Sequence, residues 1–214
     1  MKILFTGFDP FGGETINPAF EAVKLLPEEV AGAEVIKVEI PTVFRKGAAK
    51  LKAAVEKYKP DFVICVGQAG GRASVTPEFV GINYQDARIP DNDGLQPIGE
   101  TIMEDGDRAY FTKLPVKAIV AELQKTGIPA SVSYTAGTYV CNDVMYHLLY
   151  YIDKEWPHIV GGFIHVPYAA EQAVRLHAST PSMDLNMISK ALRIAAEVTI
   201  KDNSDIKIPS GHTH

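Results

Sequence analysis

Short apolar runs alternate along this chain with segments that have the period of amphipathic helices, and this alternation restricts the possible folds more than any other feature. The runs KILFTGF, EVIKVEIPTV, DFVICVG, PASVSYT and VGGFIHVPY are typical of buried strands. Segments such as RKGAAKLKAAVEKY and PVKAIVAELQKTG have helical periodicity. Because strands separated by helices usually pair in parallel, we predict an α/β protein whose mostly parallel sheet is covered on both faces.

The length favours one domain. With 214 residues the chain can bury a substantial core, and it contains no repeat and no linker. We therefore predict a single domain over residues 1–214, in which residues 201–214 form a frayed tail. The region between Gly67 and Leu114 is rich in Gly, Pro and Asp, and such a long irregular region is usually functional or contains short hidden elements.

Charge and hydropathy exclude several classes of partner. The formal net charge is −5, and no Lys/Arg cluster is dense enough to displace phosphate counterions, which argues against nucleic acid. No apolar run approaches the roughly 20 residues of a membrane span, and MKILFTGF lacks the features of a signal peptide. We expect a soluble intracellular protein with no membrane partner and with reduced cysteines.

Motifs for metals and cofactors are absent from the sequence. It contains no HExxH and no CxxC, and the terminal GHTH is interpreted as incidental. The glycine-rich VGQAGGR follows a predicted strand but has neither the dinucleotide nor the P-loop spacing. We predict no metal and no cofactor.

A cysteine lies where strand-like alternation gives way to a helical pattern. After Gly137 an apolar stripe recurs at every fourth position, at Val140, Val144, Leu148 and Ile152. Cys141 therefore falls in the first turn, where unpaired backbone N–H groups and the helix dipole favour a thiolate and could bind an oxyanion. The alternative is that Cys141 is a small apolar residue filling the junction.

A nucleophilic thiol requires a base, and His165 at the carboxyl end of an apolar strand is the best placed histidine. A histidine satisfied in the core is the competing interpretation. Glu78 and Asp91, both in the irregular region, could orient this base. Cys65 lies within the apolar FVICVG and is predicted to be buried and inert.

Six blocks resemble the pyrrolidone carboxyl peptidases, also called type I pyroglutamyl peptidases. They are TGFDPFGGETINP, VGQAGGR, EFVGIN, DARIPDN, TAGTYVCN and GGFIHVPY, in the family's order, and the resemblance as a whole runs from about residue 2 to residue 199. The resemblance implies a cytoplasmic cysteine peptidase with a three-layer α/β/α sandwich fold, often a homotetramer, that removes an N-terminal pyroglutamyl residue from peptides. It implies Cys141 as nucleophile, His165 as base and Glu78 as acid.

The resemblance also assigns the substrate pocket. The positions that it places against the substrate are Phe8, Phe11, Asn17, Gln68 and Arg88. Phe8 and Phe11 would flank the lactam ring, which is a neutral group with apolar faces and suits aromatic walls. Asp91 matches a carboxylate close to the active site.

Two departures from the family pattern suggest an alternative. Phe79 stands where the family usually has a basic residue after the glutamate, and Gly81 stands in place of an alanine. If these changes moved Glu78 away from His165, the protein would bind pyroglutamyl groups without hydrolysing them. A third interpretation is a related sandwich hydrolase or phosphorylase acting on a glycosidic bond, although the sequence contains no convincing anion site.

Overall fold

The computed structural model describes residues 1–211, so most of the terminal GHTH lies outside the described residues. The strands are β1 Lys2–Phe8, β2 Glu29–Val30, β3 Ala33–Ile40, β4 Phe62–Gln68, β5 Thr76–Pro77, β6 Val80–Ile82, β7 Ala109–Phe111, β8 Val160–Val166, β9 Tyr168–Ala169 and β10 Ser182–Met183. The helices are α1 Pro18–Lys24, α2 Lys46–Tyr58, α3 Val116–Lys125, α4 Val140–Lys154, α5 Ala170–Ala173 and α6 Leu185–Lys201.

The central sheet has the strand order β2-β3-β1-β4-β8-β5. Neighbouring strands from β3 to β8 pair in parallel, while the two-residue edge strands β2 and β5 are antiparallel to their neighbours. The carboxyl ends of β1, β4 and β8 therefore lie side by side, in a register that pairs Gly7 with Val66 and Gly67 with His165. The prediction of a mostly parallel sheet is confirmed.

The two faces of the sheet form separate cores. Ile3 and Phe5 of β1 belong to a cluster with residues of α1, α3 and α6. Leu4 of β1 belongs to a second cluster with residues of α2 and α4. Alternation along each strand thus places helices on both faces, as the predicted three-layer sandwich requires. The stripe on α4 is buried at every position: Val140, Val144, Leu148 and Ile152.

The strand predicted over 129–135 does not form as a regular strand. Its backbone runs parallel to residues 75–79, but only the isolated bridges Val75 to Ala130 and Glu78 to Ser133 are formed. Val75 and Phe79 each donate a backbone hydrogen bond to this segment. Pro77, between them, has no N–H group, so the ladder is interrupted at that position.

The chain after α6 contains no further helix or strand up to residue 211. The Asp205 carboxylate accepts hydrogen bonds from the backbone N–H groups of Lys117 and Ala118 in the first turn of α3. The Tyr134 and Ser210 hydroxyls lie 3.0 Å apart. These contacts attach residues 205–210 to the domain. Over residues 1–211, no helix has the length and the apolar character needed to cross a bilayer.

Candidate active site

A cavity of about 460 Å³ opens at the carboxyl ends of β1, β4 and β8. Seven residues that the sequence singled out line it, namely Phe8, Phe11, Asn17, Gln68, Arg88, Cys141 and His165. The parallel register of the sheet brings the strand residues Phe8, Gln68 and His165 together, and the adjoining loops and α4 supply the other four. Glu78 and Asp91 are buried behind the wall of the cavity.

Cys141 is the second residue of α4 and follows Tyr139, whose backbone is extended. Its backbone N–H lowers the pKa of the thiol, in the direction expected at a helix N-terminus. Burial and the negative charge of Glu78 act more strongly and raise the pKa to about 12. The net direction of the shift is opposite to the one that the helix N-terminus alone would produce.

Gly67 brings the sulfur next to the histidine strand. A Cβ atom at this position would lie 2.9 Å from Cys141 Sγ and 2.7 Å from the Phe163 ring, so no larger residue fits without displacement. Gly67 is also the parallel partner of His165 in the neighbouring strand. The sulfur of α4 consequently packs on β4 directly beside the strand position that carries the imidazole.

Glu78 orients the imidazole of His165. The Nδ1 atom of His165 lies 2.7 Å from Glu78 Oε1, which also accepts a 2.6 Å hydrogen bond from Arg72. Burial tends to raise the pKa of Glu78, but the hydrogen bond and charge of His165, together with the charge of Arg72, lower it overall. Because an ionised Glu78 can only accept, the contact holds a proton on Nδ1 of His165 and fixes the orientation of this ring at the cavity.

The two departures from the family pattern do not displace Glu78. The Phe79 side chain points away from His165 and packs against Phe111 and Tyr134, with ring centroids 5.3 and 5.6 Å away. A Cβ atom at Gly81 would lie 3.2 Å from the backbone of Tyr146 in α4, so the glycine permits a close approach of β6 to this helix.

Aromatic rings and amides form the opposite wall of the cavity. Phe8 is buried against Phe163, with ring centroids 6.3 Å apart, and Phe11 lies 6.3 Å from Tyr139. The Asn17 side chain caps α1 by accepting from the Ala19 N–H, and it donates to the Asp9 carbonyl. Its polar atoms thus hold the backbone beside the cavity.

Arg88 and Asp91 lie on the long loop that precedes β7. Arg88 contributes to the cavity wall near Gly137 and Tyr139. The buried Asp91 carboxylate accepts hydrogen bonds from the backbone N–H groups of Phe44, Asp93 and Leu95. It therefore shapes the loop, and the Phe44 ring that it helps to position packs edge-on against Tyr139 at 5.3 Å.

Two residues of the site were missed by the sequence reasoning. Arg72 binds Glu78 and also donates to the Thr135 carbonyl, which connects the acid to the loop before α4. Its signal was its place at the end of VGQAGGR, a block in which only Gln68 was assigned a role. Tyr139 packs against Phe11 and donates to the Pro90 carbonyl. The only sequence signal for a role of Tyr139 in the site was its position two residues before Cys141.

The described residues contain no group of three or more His, Cys, Asp or Glu side chains that could hold a metal ion. The reactive groups gathered at the cavity are the Cys141 thiol, the His165 imidazole and, behind them, the Glu78 carboxylate. A half-buried thiol at a cavity shared with a histidine that contacts a carboxylate, in an α/β sandwich, is typical of the class of cysteine hydrolases.

Within that class, the chain belongs to the pyroglutamyl peptidase family, whose model matches residues 1–202. A pyrrolidone-carboxylate peptidase of Clostridium botulinum is 56% identical over 211 residues, which cover 99% of each protein. One from Lactobacillus johnsonii is 57% identical over 216 residues and covers both proteins fully.

Solved structures of the family have the same fold. The crystal structure of pyroglutamyl peptidase I from Bacillus amyloliquefaciens superposes with a TM-score of 0.94 at 53% identity, and the match covers 97% of this chain and 99% of that one. Pyrrolidone carboxyl peptidase from Thermococcus litoralis has a TM-score of 0.92 at 41% identity, with coverage of 97% and 99%.

Proposed function

We propose that this single-domain protein hydrolyses the amide bond that follows an N-terminal pyroglutamyl residue, with Cys141 as nucleophile, His165 as base and Glu78 as the acid that orients it. The observation that carries the proposal is the contact of 2.7 Å between Glu78 and His165, in a cavity that also contains the Cys141 thiol. Membership of the pyroglutamyl peptidase family supports the choice of substrate.

The raised pKa of Cys141 indicates when its proton moves. Burial and the charge of Glu78 raise the pKa of the Cys141 thiol, so our mechanism starts from the neutral thiol. In our mechanism His165 Nε2 takes the proton as the sulfur attacks the carbonyl carbon. The positive charge that forms on the imidazole is stabilised by the buried Glu78 carboxylate.

The tetrahedral oxyanion requires hydrogen-bond donors. The first backbone N–H groups of α4 have no acceptor within the helix, and the backbone N–H of Cys141 itself interacts with the sulfur. Arg88 on the cavity wall is a second source of positive charge. His165 then protonates the leaving amine, and water hydrolyses the acyl-enzyme.

The pocket suits a neutral ring better than a charged N-terminus. Phe8 and Phe11 supply apolar walls, and Gln68 and Asn17 supply amide groups. The nearest carboxylate, Glu78, is already paired with Arg72 and His165 and is not exposed to the cavity. An α-ammonium group would therefore lose its hydration without gaining a counterion, whereas a lactam would not.

The experiment is the release of a fluorescent amine from a pyroglutamyl amide, run beside Cys141→Ser and beside protein treated with a thiol alkylator. We expect turnover by the untreated protein and its loss in both controls. Binding of a pyroglutamyl ligand without turnover would instead support a silent homologue, which the intact Glu78–His165 contact disfavours. Activity on a nucleoside would support the glycosidic alternative.

We further propose, from the family resemblance, a cytoplasmic homotetramer. An exposed aromatic cluster of Phe79, Phe111 and Tyr134, in which Phe111 is 62% exposed, is compatible with a surface covered by another subunit. Light scattering coupled to gel filtration measures the oligomeric state, and a monomer at micromolar concentration would contradict this part of the proposal.

A further inference from the structure

A buried glutamine outside the reacting groups connects three walls of the cavity. Gln172 of α5 is 0% exposed. Its Oε1 atom accepts a 3.0 Å hydrogen bond from the Ala169 backbone N–H, and its Nε2 atom donates to the Ile16 carbonyl at 3.4 Å and to Gln68 Oε1 at 3.1 Å. It thus joins α5, the loop before α1 and the end of β4.

These partners decide which way the Gln172 amide faces. A backbone N–H can only donate and a backbone carbonyl can only accept, so Ala169 identifies the oxygen of Gln172 and Ile16 identifies its nitrogen. The Gln68 atom that faces Gln172 Nε2 must then be an acceptor, which is Oε1. The orientation of the Gln68 amide follows from the chain of contacts.

With its oxygen engaged, Gln68 has a donor left for the substrate. Gln68 lines the cavity, and among residues 1–211 no acceptor is hydrogen-bonded to its Nε2 atom. A pyroglutamyl ring presents one strong acceptor, the lactam carbonyl oxygen, and one donor, the ring N–H. The Gln68 Nε2 donor on the cavity wall can hydrogen-bond to the lactam carbonyl oxygen but would be repelled by the ring N–H.

We infer that Gln172 is a positioning residue that holds the Gln68 amide with Nε2 toward the cavity, so that the enzyme selects its substrate through the lactam carbonyl oxygen. The inference rests on the proposed function. Gln172 also caps α5 through Ala169, so a purely structural role predicts a loss of stability without a change of selectivity.

The test compares two neutral substrates that both lack the ring N–H. One is the amide of 5-oxotetrahydrofuran-2-carboxylic acid, which keeps the ring carbonyl, and the other is the amide of tetrahydrofuran-2-carboxylic acid, which lacks it. The ratio of their kcat/KM values isolates recognition of the carbonyl oxygen. We expect the natural protein to prefer the oxo substrate, and Gln172→Glu to reduce that ratio about tenfold, the worth of one hydrogen bond.

The reason is that the carboxylate introduced by Gln172→Glu could accept from Ala169 but, when ionised, could not donate to Gln68. The Gln68 amide would then rotate and present Oε1 to the cavity. Gln172→Met should lower the ratio similarly, and it should have no further effect in a Gln68→Met background. Gln85→Leu, which removes another buried glutamine away from the cavity, should leave the ratio unchanged.

An unchanged ratio in both folded Gln172 variants would overturn the inference even if their overall activity fell. If neither variant folds, the side-chain amide protons of Gln68 in otherwise natural protein decide the question by NMR. They should shift on binding free pyroglutamate amide but not tetrahydrofuran-2-carboxamide, and no difference would overturn the inference. Failure of the natural protein to cleave any pyroglutamyl amide would instead contradict the proposed function.

Discussion

The two cysteines have similarly raised pKa values but lie in different surroundings. Cys65 on β4 and Cys141 on α4 lie on the same side of the sheet, and burial raises the pKa of each thiol to about 12. Cys65 is 0% exposed and lies beside Thr6 in the middle of the sheet. Cys141 is half-buried and lines the cavity next to His165.

The difference shows that access to the cavity and a neighbouring histidine, and not the pKa, distinguish the proposed nucleophile Cys141 from Cys65. A neutral thiol becomes reactive when a base can take its proton at the moment of attack, and when helix N–H groups stabilise the resulting charge. Cys65 has neither a base nor access to substrate. The same local pKa therefore accompanies an inert core residue at one position and the proposed nucleophile at the other.

The largest expected contrast is between alanine variants of these two residues. Cys141→Ala should lower kcat on a pyroglutamyl amide by at least about 10³-fold, because covalent catalysis is lost. Cys65→Ala should keep kcat within about threefold, since distant core truncations act mainly on stability. Steady-state kinetics on folded protein measures both values, and an equal loss in the two variants would remove the distinction.

Glu78→Gln should have the next largest effect. The amide can no longer hold the Nδ1–H tautomer of His165 or stabilise its charged form, so kcat should fall about 10²-fold or more. Glu100→Gln is the matched control, because Glu100 pairs with Arg45 on the surface away from the cavity. Full activity of Glu78→Gln would show that His165 needs no orienting carboxylate.

Alkaline pH should reveal the burial of Cys65 through stability. The folded pKa of Cys65, about 12, lies above the unfolded value of about 8.5. The contribution of this thiol to the free energy of unfolding is therefore complete below pH 8.5 and is lost as pH rises toward 12. Between pH 7.5 and pH 10, the free energy of unfolding should fall by about 2 kcal/mol more in the natural protein than in Cys65→Ala. Urea denaturation at both pH values measures this difference, and parallel curves would contradict the assigned burial.

Gly67→Ala tests whether the position of the Cys141 sulfur matters for activity. The added methyl group would meet Cys141 Sγ at 2.9 Å and the Phe163 ring at 2.7 Å, so the sulfur must move. Because small displacements of a reacting group are costly, kcat/KM should fall about tenfold or more. Gly211→Ala, where an added Cβ meets no atom within 4 Å, is the control. Unchanged kinetics in Gly67→Ala would mean that the sulfur position is not critical.

Much of the fold could be predicted from the sequence because periodicity records which side of each element is buried. The apolar stripe of α4 and the buried runs of β1, β4 and β8 were all recognised in this way. The strand expected over 129–135 is not regular, because Pro77 in the neighbouring segment interrupts its ladder. The pattern of residues 129–135 carries no information about that proline, so the interruption could not be predicted from it.

The sequence by itself determined the alternation of strands and helices, the placement of Cys141 in a first helical turn and the burial of Cys65. Apart from the family resemblance, which implied Glu78, only the tertiary structure decided which carboxylate reaches His165. Glu78 and Asp91 had equal local signals, yet Glu78 contacts the imidazole across 87 positions of the chain while Asp91 binds backbone N–H groups. The physical reason is that local patterns reflect burial, whereas a pairing between distant side chains exists only once the strands have found their register.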